Sequence, residues 1–87
     1  MFDVNGISFD DDDLAGAAGE IYFRLSQEQK ERLMQFISQK WPDEYSAGID
    51  LMRDEGRLEL SISLITDCVS EDDSQQFIND LLEFKDY

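Results

Sequence analysis

Apolar and polar positions alternate through FDVNGISF, on either side of Asn5-Gly6. Asn-Gly is the strongest two-residue hairpin signal, because both turn positions need φ > 0, so residues 2–9 read as a small N-terminal hairpin. A second period-2 stretch, EIYFRL, puts Ile21, Phe23 and Leu25 on one side and Tyr22 and Arg24 on the other. This predicts a strand. Between the two lie four consecutive aspartates at 10–13 and the segment LAGAAG, which fits either one helical turn capped by Asp13 or a linker.

The pattern changes period after Ser26. SQEQ has the form of a capping box, in which a hydroxyl and a glutamine side chain satisfy free N–H groups at a helix start. Leu33, Phe36, Ile37 and Trp41 then recur at helical spacing, with Met34 at the margin, and predict a helix over about 27–41 that Pro42 ends. AGIDLMRDEGRLELSISLI reads as two strands joined at Asp54-Glu55-Gly56. Ile49 and Leu51 alternate with Asp50 and Met52; Leu58, Leu60, Ile62 and Leu64 alternate with Glu59, Ser61 and Ser63. One greasy side and one wet side fit a sheet covered on a single face. Last, Ser70 stands as the cap of EDDSQQFINDLLEF, whose stripe is Phe77, Ile78, Leu81, Leu82 and Phe84. The expected fold is one small α+β domain: an N-terminal hairpin or arm over 1–19, then β-α-β-β-α over 20–87. Its two helices cover one face of an antiparallel or mixed sheet.

Composition adds a constraint to that outline. The 87 residues carry 21 acidic and 7 basic side chains, a formal net charge of −14, yet 41% are hydrophobic. A core therefore forms against self-repulsion. The charge is uneven. Residues 1–20 hold six acidic and no basic residues, 67–87 hold seven against Lys85 alone, and 21–66 are near balance at eight against six. Phosphate contact needs Lys and Arg, so direct nucleic-acid or anionic-membrane binding is not expected. No apolar run approaches a bilayer span of roughly 20 residues, and the N-terminus lacks a secretory pattern. Cys68 is the sole cysteine, which leaves no intrachain disulfide and points to a cytoplasmic, packed thiol.

The excluded chemistries are many. Without histidine there is no Ser-His-Asp or Cys-His centre and no ordinary zinc site, and no phosphate loop or dinucleotide fingerprint occurs. The aspartate run does not have the alternating ligand spacing of a calcium loop. The chain is expected to be non-enzymatic, with no cofactor and no dedicated metal site. On the last helix Asp72, Asp73, Asp80 and Glu83 are assigned to the side opposite the apolar stripe, with Asp86 continuing that side. At 1.5 Å per residue these five span roughly 21 Å, a length over which one DNA strand carries about six phosphates.

The β-α-β-β-α order, the Trp41-Pro42-Asp43 close of the first helix and the acidic last helix EDDSQQFINDLLEF together resemble the DinI family of small bacterial and phage proteins. The likeness covers about residues 20–87. It implies modulation of the RecA recombinase by an acidic helix that imitates DNA. The wider expectation is an acidic inhibitor that occupies the basic nucleic-acid-binding surface of another protein, as phage or plasmid anti-CRISPR and anti-restriction proteins do. The expected partner-binding residues are Asp72, Asp73, Asp80, Glu83 and Asp86, with Asp10, Asp11, Asp12 and Asp13 as a second patch. The competing expectation is a structural or oligomerisation module, monomeric or a small homo-oligomer, whose charge serves solubility.

Overall fold

In the computed structural model, which describes residues 1–85, β1 (Phe2–Val4) and β2 (Ile7–Phe9) pair antiparallel, with Val4 opposite Ile7. Asn5 and Gly6 take φ values of 53° and 80°, the left-handed pair that a two-residue hairpin requires. Phe2 and Val4 point into the core while Asp3 faces out. The hairpin is the whole of the β-structure among the described residues. The rest is helical: α1 (Leu14–Tyr22), α2 (Gln27–Lys40), α3 (Pro42–Asp54), the short α4 (Ile62–Thr66), and a 3-10 turn at Glu71–Asp73 leading into α5 (Ser74–Lys85). The α+β class holds. The β-α-β-β-α order does not.

The missing strands share one physical cause. Residues 20–25 do not form a strand, because Leu14, Ala17, Ala18 and Ile21 recur at i, i+3, i+4 and i+7 and are all buried. The carboxylate of Asp13 accepts the Gly16 N–H at 3.1 Å and starts that helix. A Cβ at Gly16 would lie 2.5 Å from the Asp13 carboxylate, so a side chain there would push the cap aside. Phe23, assigned to the apolar side of a strand, lies past the end of α1 and is 69% exposed. Residues 48–53 likewise lie within a helix, with Gly48 buried and Tyr45, Ile49, Leu51 and Met52 half-buried. Of the second expected strand, Leu58 is 98% exposed and only Ile62, Leu64 and Ile65 are buried, on α4. Short apolar runs fit both periods, and the helical solution satisfies their backbone groups without a partner strand.

The capping box at Ser26 forms as expected: the Ser26 Oγ accepts from Gln29 N at 3.3 Å, and the Gln29 side chain accepts from Ser26 N at 3.1 Å. Trp41 closes α2 and opens α3, with Pro42 at the first helical position of α3. Proline stops one helix by constraining the residue before it and starts the next, where its missing N–H costs nothing. At the centre lies α1, in contact with α4, α5 and both strands. Ala17 and Ala18 keep its inner surface thin. Gly48 does the same where α3 meets α4, since a Cβ there would lie 3.1 Å from the Ile65 side chain. Leu33, Ile37, Phe77, Ile78 and Leu81 complete the core, with Phe36, Leu60 and Phe84 partly buried against it. No helix among the described residues is long and apolar enough to cross a membrane.

Candidate protein-binding face

The last helix does not carry the acidic array assigned to it. Asp80 is 2% exposed. One carboxylate oxygen accepts from Trp41 Nε1 at 2.9 Å; the other accepts from Gln76 Nε2 at 2.8 Å and lies 3.3 Å from Lys40 Nζ. The spacing explains it: Asp80 is three residues after Phe77 and four before Phe84, so it rides beside the stripe. Trp41 also packs edge-on to Phe77, with centroids 5.3 Å apart. Asp80 therefore joins α5 to the α2–α3 corner and is not available to a partner. Asp72 and Asp73 are exposed but belong to the 3-10 turn ahead of α5. Glu83 is exposed on α5 beyond a row of amides in which Gln75 Nε2 donates to Asn79 Oδ1 at 3.0 Å. Asp86 lies outside the described residues. Among the described residues Asp72, Asp73, Asp80 and Glu83 do not form the expected row.

A different acidic surface forms instead. The hairpin and α1 bring the aspartate run beside the connection between α4 and α5, so that Asp11, Asp12, Asp67 and Glu71 line one cleft of about 530 Å³ with Leu14, Ala15, Thr66, Val69 and Ser74. A smaller hollow next to it shares Asp11, Glu71 and Ser74 and reaches Phe2 and Gln75. Asp10, Asp13, Asp72 and Asp73 continue the same two chain segments and are exposed. The two charged ends of the sequence thus meet at one edge of the fold, with eight carboxylates from 10–13 and 67–73.

Few cations balance that edge. Among the described residues its one ion pair is between the Met1 α-ammonium and Asp11. The Lys and Arg ion pairs lie on other parts of the fold: Arg24 with Glu20, Arg32 with Glu28 at 2.7 Å, Lys40 with Asp80, and Arg57 with Glu55 at 3.2 Å. Lys30 stands over the Tyr22 and Phe23 rings at 5.3 and 5.5 Å. Asp13 and Asp73 are partly occupied by local bonds, Asp13 as the α1 cap and Asp73 accepting from Ser70 Oγ at 2.9 Å. Next to the edge, burial and then the charges of Asp67, Glu44 and Asp50 push the Cys68 thiol above its ordinary pKa. Its Sγ donates to the Leu64 carbonyl at 3.4 Å. Such a thiol is protonated and slow to react near neutral pH.

Sequence reasoning found the residues of this edge but not their meeting. Asp67 and Glu71 stand in the sequence only as part of the acidic C-terminal quarter, residues 67–87. The signal that could have joined them to residues 10–13 was the helical stripe of α1, which turns the aspartate run toward α4. No family model, no curated protein and no solved structure matches this chain.

Proposed function

We propose that the protein is a non-catalytic acidic binder that occupies the basic, nucleic-acid-handling surface of another protein. The observation that carries this reading is the edge where residues 10–13 and 67–73 gather eight carboxylates with no Lys or Arg partner among the described residues. Uncompensated charge on a folded surface costs stability through self-repulsion. It also steers a basic partner into encounter and raises the on-rate. The edge, and not the last helix, is the charge-mimicking element. RecA-type recombinases, restriction enzymes and CRISPR nucleases each present a basic surface of the required kind, and a counter-defence role in a phage or plasmid follows the same logic.

The test is competition. Purified RecA, a restriction–modification enzyme and a Cas9-type nuclease, together with any protein the immobilised chain captures from bacterial lysate, are titrated with and without duplex DNA. At least one is expected to bind in a way that DNA displaces and that weakens steeply with salt. Binding that DNA leaves untouched, or no binding to any of them at low salt, overturns the reading. A second reading, self-association, has its own observation: Leu58 and Phe23 are large apolar side chains exposed at 98% and 69%. Sedimentation at increasing concentration distinguishes it, because a DNA-competing monomer leaves no role for an obligate oligomer.

A further inference from the structure

The cleft between the aspartate run and the α4–α5 connection has walls of two kinds. Leu14, Ala15 and Val69 form an apolar part, and Asp11, Asp12, Asp67 and Glu71 line it with charge. Those carboxylates are spread along the walls, and among the described residues no three acidic or cysteine side chains converge as a metal-holding group. A bare divalent ion needs several oxygens at about 2.3–2.6 Å around one point, so the cleft does not fit one. Its volume of about 530 Å³ suits a larger guest. A side chain with an aliphatic stem and a cationic head matches both walls: the stem covers Leu14 and Val69 while the head meets carboxylates. Guanidinium matches better than ammonium. Its planar fork pairs bidentately with carboxylates and sheds water more readily.

We propose that this cleft is the anchor of the acidic edge and receives an arginine side chain from a basic segment of the partner protein. The proposal rests on the charge-mimic reading above and adds the place where one partner side chain is held. A ring of unpaired charge gives attraction and rate, whereas a side chain seated in a cleft gives register and slow release.

The test uses the full chain, labelled with 13C and 15N, and three probes: nona-arginine, nona-lysine and spermine. Nona-arginine is expected to shift the methyl signals of Leu14, Ala15 and Val69, and to bind more tightly than nona-lysine. Two double variants remove the same charge from different places. Asp67→Asn with Glu71→Gln changes the cleft; Asp10→Asn with Asp72→Asn changes exposed carboxylates outside it. The first is expected to weaken nona-arginine about tenfold and the second only about twofold. Equal weakening by both variants, with unmoved methyls in the parent protein, overturns the anchor while leaving the charge-mimic reading intact. Methyl shifts with spermine but not with nona-arginine overturn it in favour of a free polyamine. Absence of binding to either peptide at low salt overturns both readings. The methyl shifts are read in the unaltered protein, so a variant that failed to fold would not shield the proposal.

Discussion

At the corner where α2, α3 and α5 meet, one carboxylate is enclosed by three donors; along the edge built from 10–13 and 67–73, eight carboxylates share one ammonium. Asp80 has lost its water and is held by Trp41, Gln76 and Lys40. Removing water from a carboxylate is expensive, so such a group persists only where its hydrogen bonds are complete. The reward is geometric: three elements are brought to one point in one orientation. The edge does the reverse. Its carboxylates keep their water, make few bonds and repel one another, which weakens the fold slightly and leaves the charge free for a partner. One residue type thus performs two opposite tasks, and burial alone separates them.

The largest expected effect comes from cutting the corner. Asp80→Ala strands the half-buried Trp41 donor and removes the carboxylate that Gln76 and Lys40 also hold, and should cost about 2–4 kcal/mol, read by urea unfolding followed through the single tryptophan. Neutralising Asp67 and Glu71 together should leave stability unchanged or raise it. If Asp80→Ala were as stable as the parent, the contrast between corner and edge would be false. Ile21→Ala should cost a similar amount, about 2–4 kcal/mol, because Ile21 is 1% exposed on the central helix. Phe23→Ala, two residues on, should change stability by less than about 1 kcal/mol. Equal losses at the two positions would restore the strand that the period-2 pattern implied.

Salt should separate the regions next. Screening relieves repulsion at the exposed edge and hardly reaches the buried corner, so the melting temperature is expected to rise with added salt. Asp11→Asn with Asp12→Asn should reduce that rise. A salt response identical to the parent's would place the repulsion elsewhere.

The smallest effect concerns Cys68 and Tyr22. Burial first, and then nearby carboxylates, raise both above their ordinary pKa; for Tyr22 the charge is that of Glu59. A raised folded pKa favours the protonated form. Its stabilisation is therefore complete below the unfolded value and is lost as pH climbs through the cysteine and then the tyrosine range. Thiol alkylation should inflect at higher pH than in a free cysteine peptide, and Asp67→Asn should move the inflection down. An inflection at the free-cysteine value would remove the edge's influence on this group.

Several features were legible in the chain because each depends on a few neighbouring residues. Asn5-Gly6 forms its turn from two left-handed residues, the Ser26–Gln29 box caps α2 locally, and Phe77, Ile78 and Leu81 mark the buried side of α5. Asp13 as a cap was also visible, although the helix that it starts read equally well as a linker. Ala17 and Ala18 are too small to stand out as a stripe in sequence, yet small residues are what let α4 and α5 approach α1. The strands expected at 20–25 and within 47–65 rest on alternation over a few residues, a length at which the two periods coincide. Asp80 was misplaced by its phase on α5, although its spacing from Phe77 and Phe84 already put it beside the stripe.

By itself the sequence determined the α+β class, the hairpin, the caps, the excess charge and its concentration toward the two ends. Those are sums and short-range patterns, set by propensity, turn chemistry and composition. Only the tertiary structure decided that residues 20–25 and 48–54 are not strands, that Asp80 is enclosed, and that the two acidic ends form one edge around a cleft. Each of these depends on contacts between residues far apart in the chain: Trp41 with Asp80, and Asp11 and Asp12 beside Asp67 and Glu71. A carboxylate's identity is written in its codon position, but whether it keeps its water is settled by what the rest of the chain packs against it.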